Sequence, residues 1–408
     1  MILFLHNRYR TTGGEERVVE DLVWLVREHL GEDAELLARG SAGLGRARAA
    51  AGLLRGGLSP QEVGDAVRRS GARVVHAHNL NPSLGWRALA AAREAGARTV
   101  LHLHNYRLVC AVGTCFTRGA DCTRCHGRDT RPGVRRNCRG TGAEAAVYGA
   151  SLALWQRRLL QHADAVVVPS VFAGQRLLTL GVPLRPPGGG RAGAGSGRPP
   201  GADGEPVRAD GGGRTTAVSD GPPLHVIGHV VRAVAERSTA ACGAHALVAS
   251  RLAPEKGVDV AIAACAAAGV PLVIAGDGPL LAQLRERAHG TQTTFAGRVG
   301  DDELARLRAE AGLAVVPSRS AETFGLAAAE AMAAGLPLAG SAIGALPELC
   351  GGLAALVAPG DPAALALAVR ERFGDGAAGE AGRRRVLEVA APAVVARALR
   401  AVYDAVCA

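Results

Sequence analysis

Leu313-Ala-Val-Val-Pro-Ser318-Arg-Ser-Ala-Glu322-Thr-Phe-Gly-Leu-Ala-Ala-Ala-Glu330 is the stretch whose reading decides the fold. Its first four residues are a short apolar run with valines, which predicts a buried strand. Pro317 and Ser318 end the strand, and Glu322 falls in the loop after it. From Phe324 the alanine-rich run predicts a helix of high propensity. Glu322 therefore stands at the carboxyl end of a strand, just before a helix amino terminus. In open α/β sheets that is where ligands bind. The helix start near Thr323, Phe324, Gly325 and Leu326 offers unpaired N–H groups to an anion. Glu330 lies about two turns further on and points to a similar side, at roughly 3.6 residues per turn. Two glutamates at one spacing are common, so the pair alone decides nothing about function.

A second stretch repeats the pattern. Ala246-Leu-Val-Ala-Ser250 predicts a buried strand, and Arg251-Leu-Ala-Pro-Glu-Lys256-Gly257 turns it into an alanine-rich helix. Lys256 is the only lysine in a chain that otherwise uses arginine for its cations. Lysine is a compact point charge and arginine a planar fork, and the two are not interchangeable at a phosphate.

With Gly276-Asp-Gly-Pro279 and Phe295-Ala-Gly-Arg-Val299, these motifs resemble those of the retaining glycosyltransferases of family 4, which have the GT-B fold. The resemblance implies an α/β protein of two Rossmann-like domains whose parallel sheets face each other across a cleft. It implies a UDP- or GDP-sugar donor held by the second domain and a glycan, lipid-linked or small-molecule acceptor. It implies transfer of a hexosyl group with retention, as in polysaccharide biosynthesis. Arg251 and Lys256 then face the leaving diphosphate, Glu322 the sugar hydroxyls, and His104 the donor sugar from the first domain. Gly13, Gly14, Gly276, Thr323, Phe324, Gly325 and Leu326 line the donor. Arg298 and Val299 lie by the base and Glu330 by the ribose. No catalytic metal is expected, because fixed positive groups take its role.

The first half reads as follows. Met1-Ile-Leu-Phe-Leu-His6 is too short for a signal-peptide core and predicts the first strand. A loop with Gly13 and Gly14 follows, then a helix from the spacing of Val18, Val19, Leu22 and Leu25. Arg73-Val-Val-His76-Ala-His78 and Val100-Leu-His-Leu-His104 predict two more strands, each ending in histidine. Residues 143–162 and 171–180 predict helices around a strand at 163–170. Five of the nine cysteines crowd into 110–138. Cys122 and Cys125 have zinc-knuckle spacing. A relative group with this family's fold has a similar insertion, and Cys110, Cys122, Cys125 and Cys138 are the expected ligands of a structural zinc, with Cys115 spare and His126 an alternative.

Residues 184–224 are mostly Gly, Pro, Arg, Ala and Asp and predict a disordered, dispensable interdomain segment. Gly188-Gly-Gly190-Arg-Ala-Gly193 formally fits a dinucleotide fingerprint, but no strand precedes it. The expected division is 1–183, with the cysteine insertion, then 184–224, then a donor domain at 225–381, then a helix at 382–408 crossing back to the first domain. Strands are expected at 246–250, 271–275, 293–296, 313–317 and 337–340, each followed by a helix.

The chain's 48% hydrophobic residues fit a globular protein, and its net charge of +10 points to an acidic partner such as nucleotide phosphate or an anionic membrane surface. No apolar run approaches the ~20 residues of a membrane span. A cytoplasmic protein with reduced thiols is expected, in peripheral contact with the inner membrane face. Nucleic acid is not expected, because the cysteine segment lacks interleaved aromatics and a recognition helix. Two other readings stand beside transfer: a nucleotide-sugar epimerase, and a catalytically impaired GT-B binding protein.

Overall fold

The computed structural model describes residues 1–9, 13–186, 221–232 and 237–408. Strands β1 (Ile2–Arg8), β2 (Ala34–Gly40), β3 (Val74–Ala77) and β4 (Arg98–His102) come first. A small antiparallel hairpin follows, β5 (Phe116–Thr117) with β6 (Ala120–Asp121), then β7 (Ala165–Val168) and β8 (Leu224–Val226). The second half carries β9 (His245–Ala249), β10 (Leu272–Ala275), β11 (Thr293–Gly297), β12 (Ala311–Val316), β13 (Leu338–Ser341) and β14 (Ala355–Val357).

Two six-stranded sheets result, in the orders β2-β1-β3-β4-β7-β8 and β11-β10-β9-β12-β13-β14, with every pairing parallel. Parallel sheets are covered on both faces, so their strands are continuous apolar runs. Strand β1 is buried from Ile2 through Asn7 and β7 throughout. Helices pack on both faces of each sheet. Val63, Val67, Leu84, Leu89 and Leu177 cover one face of the first, and Leu22, Leu25, Val395 and Leu399 the other.

The strand orders locate the ligand crevices. Each sheet has one point where the order reverses, and crevices open there at the carboxyl ends. In the first sheet the switch lies between β1 and β3. In the second it lies between β9 and β12, which pair although two strand–helix units separate them in sequence.

Several boundaries differ from those expected. Strand β8 belongs to the first sheet, with Val166 opposite Leu224, so a division at 225 cuts through a strand. The flanks of the 184–224 tract are ordered: Leu184 and Leu224 are buried, and Arg185 exchanges backbone hydrogen bonds with Pro222 and Leu224. Two leucines in the first core suffice to fix them. The tract's remainder, including Gly188–Gly193, lies outside the described residues. The helix predicted from Phe324 starts at Leu326, because Gly325 takes the left-handed conformation with φ +90°. Strand β2 was not expected, since Ala-Glu-Leu-Leu-Ala-Arg-Gly mixes charge with a half-buried pattern.

The crossing to the first domain occurs at Pro392, ten residues later than the boundary at 382. Helix Gly376–Ala390 stays on the second domain, where Val386 and Ala390 pack with Phe324 and Met332. Proline keeps the preceding residue out of the helical region. Ala391 is extended (φ −62°, ψ 147°), and the next helix, Pro392–Cys407, packs Val395, Leu399, Val402 and Tyr403 against Ile2, Phe4 and Val100 of the first domain.

Candidate active site

The loops after β9 and β12 are joined tightly. Gly257 has φ +63°, and a side chain there would meet the Pro317 carbonyl at 2.1 Å. The N–H groups of Arg319 and Ser320 donate to the Glu255 carbonyl at 2.8 and 3.2 Å. This contact sets Lys256 beside Glu322: Lys256 Nζ donates to Glu322 Oε1 at 2.6 Å, and Ser318 Oγ donates to the same oxygen at 2.7 Å. Burial pushes the Glu322 carboxyl up, but the Lys256 ammonium and the Ser318 hydroxyl outweigh it and hold the group below its ordinary range. Both side chains remain partly exposed, at 28% and 18%, so the pair is open to a ligand.

The other second-domain candidates are spread around this pair. Gly276 packs on the loop after β9, where a side chain would meet the Ser250 carbonyl at 1.9 Å. Arg251 is half exposed and turns to Glu255 in an ion pair. Arg298 is exposed at the end of edge strand β11, and Val299 is half-buried beside Leu307 and Ala275. Phe324 puts its ring in the core, against His229 with centroids 4.9 Å apart. Glu330 is not free: Arg308 forms a close ion pair with it, and Arg17 of the first domain reaches it at 3.5 Å.

The two domains touch at the site. Thr323 Oγ1 donates to the His104 carbonyl at 2.8 Å, and Ser170 Oγ donates to the Thr323 carbonyl at 2.7 Å. Gly14 opens the first helix, with Leu326 of the second domain beyond it, and Gly13 N donates to Glu16 Oε2 at 2.8 Å. Leu326 is half-buried between the two domain cores. His104 stacks on His102 at 4.3 Å and shares a 2.7 Å hydrogen bond with His78. Burial, then the positive field of His6, pushes His104 down to about 3, so its ring is neutral.

Sequence reasoning missed the partners of these residues: Ser318, Arg17, Arg308, His102 and His229. Serine beside a strand end was a visible signal for the first. The arginines had none, being two among many.

In the insertion, Cys110, Cys115, Cys122, Cys125 and Cys138 line one small cavity beside hairpin β5–β6. All nine cysteines are free thiols. Cys115 is buried and hydrogen-bonded to Cys110, whose thiol that bond pulls down to about 6. The donor chemistry fits zinc. Among the described residues, however, no three cysteine sulfurs lie within 4.8 Å of one another, so a four-sulfur site would require the cavity to tighten.

Comparisons with known proteins agree with this architecture. Residues 6–186 match a model described as "Glycosyl transferase 4-like domain", and residues 243–375 match "Glycosyl transferases group 1". The first domain is thus similar to glycosyl transferase 4-like domains and the second to group 1 glycosyl transferases. Among similar proteins, a GDP-mannose-dependent alpha-(1-6)-phosphatidylinositol dimannoside mannosyltransferase of Mycobacterium tuberculosis is 44% identical over 126 residues, 29% of this chain and 33% of that protein. A glycogen synthase of the same species is 42% identical over 148 residues, 34% of this chain and 36% of the relative. The matches thus span about a third of the relatives' lengths. Among solved structures, sucrose-phosphate synthase from Thermosynechococcus elongatus superposes with a TM-score of 0.66 at 18% identity, covering 99% of each chain. Anabaena HepE with UDP-glucose gives 0.60 at 16% identity and 99% of each chain. These likenesses establish the GT-B fold. Among the described residues, no helix is long and apolar enough to cross a membrane.

The buried histidines of this fold make its stability acid-sensitive. In an unfolded chain histidine titrates near ~6.5. Burial, and the repulsion that a protonated His104 would exert, push His76 down to about 3 in the fold. Between these values the unfolded chain binds protons that the folded one refuses. Stability is therefore full above pH ~6.5 and falls toward pH ~3, by about 1.4 kcal/mol per pH unit for each such histidine. The urea midpoint should drop clearly between about pH 7.5 and 5.5, and His76→Phe should shallow the slope by about one proton. Equal midpoints at the two pH values contradict this reading.

Proposed function

We propose that the protein is a retaining glycosyltransferase moving a hexosyl unit from a UDP- or GDP-sugar to a hydroxyl of a glycan or lipid-linked acceptor. The observation that carries this is the Lys256–Glu322 pair, at the switch point of the second sheet and facing the His104 segment across the domain boundary. Two similar proteins support the donor class: one is GDP-mannose-dependent, and another, alike in fold, was solved with UDP-glucose. The net charge of +10 supports peripheral contact with an anionic membrane on the cytoplasmic side.

The chemistry follows from the charges. As the bond between the anomeric carbon and the diphosphate breaks, negative charge grows on the leaving oxygen. The Lys256 ammonium and the N–H groups at the start of helix Leu326–Ala333 receive it, joined by the Arg251 guanidinium once that group leaves Glu255. An ionised Glu322 accepts hydrogen bonds from sugar hydroxyls, and entry of the donor divides its hold on Lys256. His104, neutral, exchanges a hydrogen bond with the sugar and brings no charge. Glu330 holds the ribose once Arg17 is displaced. Arg298 and Val299 flank the base.

In the insertion we propose a structural zinc on Cys110, Cys122, Cys125 and Cys138, which holds its shape and leaves no position open for catalysis.

Two outcomes are expected. Lys256→Ala and Glu322→Gln should each lower the transfer rate about 10²–10³-fold, as loss of one such contact does, with the far-UV circular dichroism unchanged. Undiminished turnover in both variants refutes the assignment. Elemental analysis of protein purified without a metal-binding tag should find about one zinc per chain, held by the thiolates. A zinc-free preparation that is fully folded removes that proposal.

A further inference from the structure

Histidines form a column through the first domain. His76 and His78 on and after β3, His102 and His104 on and after β4, and His229 from the segment after β8 contact one another ring to ring. Tyr403 of the returning helix closes its inner end, with its hydroxyl 2.7 Å from His76 Nδ1. His76 Nε2 meets His102 Nδ1 at 3.2 Å, and His78 Nδ1 meets His104 Nε2 at 2.7 Å.

This leaves four rings of the column with a spare nitrogen, His78 Nε2 among them. His102 Nε2, His104 Nδ1 and His229 Nδ1 are buried and have no hydrogen-bond partner. His102, His104 and His229 also offer ring nitrogens that all lie within 4.8 Å of one another. His76, His78 and His102 are equally close, but both nitrogens of His76 are already engaged.

We propose that His102, His104 and His229 form a binding site for one divalent transition-metal ion of the zinc, cobalt and nickel class. Three imidazoles select such ions over magnesium and calcium, which take oxygen ligands. Ligand histidines are oriented by a partner on their other nitrogen. His76, backed by Tyr403, supplies this for His102, and His78 supplies it for His104. Burial holds all three rings well below the ordinary histidine range, so they are neutral, as ligands must be, near pH 7.

One adjustment is required. His102 and His104 are stacked with an interplanar angle of 17°, and an ion in the plane of both needs the rings to swing about their Cβ–Cγ bonds. That torsion is broad and soft. His229 is already tilted, at 33° to His104. The ion ties the segment carrying His229 to the strands of the first domain. It also occupies His104. On the donor role given above to that residue, it therefore inhibits transfer.

The test is titration of the full-length protein with Co²⁺, followed by visible absorption. Wild type should show a ligand-field band that saturates with about one equivalent of imidazole-bound metal. Thiolate-bound cobalt is told apart by its near-ultraviolet sulfur-to-metal band. His229→Asn, checked as folded by thermal unfolding, should lose the imidazole component. His78→Leu should weaken it about 10–100-fold, as loss of an outer partner does. Nitrogen-15 NMR of the histidine rings of unmutated protein gives a second readout, and His102, His104 and His229 should shift on adding Zn²⁺. An unchanged cobalt spectrum in His229→Asn, or no movement of those ring signals, overturns the proposal. Metal binding without inhibition overturns only the donor role of His104.

Discussion

The ion pair between Lys256 and Glu322 depends on a backbone contact that a methyl group would prevent. Gly257 presses against the Pro317 carbonyl, so the loop after β9 and the loop after β12 share one crevice. Parallel pairing of β9 with β12 puts the two loops side by side in the first place. Once the pair exists, each partner fixes the other. The lysine keeps a largely desolvated carboxylate ionised, and the carboxylate holds the ammonium where a phosphate can reach it. A buried carboxylate without its cation would protonate. The position of this one contact therefore governs the chemistry available to the second domain.

The first domain meets that crevice through contacts already made without a ligand. Thr323 holds the His104 backbone, Ser170 holds Thr323, Glu348 accepts from the N–H groups of Val171 and Phe172, and Arg17 reaches Glu330. Helix Pro392–Cys407 adds a second tie by inserting Leu399 and Tyr403 into the first core. The described domains are thus in contact face to face. A donor entering between them must exchange some of these contacts for its own, above all those of Glu330.

What the sequence made legible was the local part. Apolar runs such as Ala246–Ala249 and Leu313–Val316 announce strands, because a parallel strand is buried on both faces. Glu322 and Lys256 stood out by their place at strand ends and by the rarity of lysine. Strand β2 stayed hidden because its charged residues obscure the apolar pattern, and β8 because three residues after a biased tract carry almost none. Partnerships across the fold were not legible either. Arg17 and Glu330 lie 313 residues apart in number and meet only because the domains do. The histidine column had a signal that went unused: His76-x-His78 and His102-x-His104 recur at the strand period on paired strands, and so share a face.

The central claim is that the second sheet's crevice binds a nucleoside diphosphate sugar through Lys256. Thermal unfolding with saturating UDP-, GDP- and ADP-sugars, beside the free sugars, tests it most directly, because a ligand of the native state raises the melting temperature by mass action. The account predicts a rise with the sugar nucleotides of one base, about 2.7 kcal/mol of added stability at a hundredfold excess over the dissociation constant, and loss of that rise in Lys256→Ala. No shift with any nucleotide sugar, or an equal shift in Lys256→Ala, contradicts it.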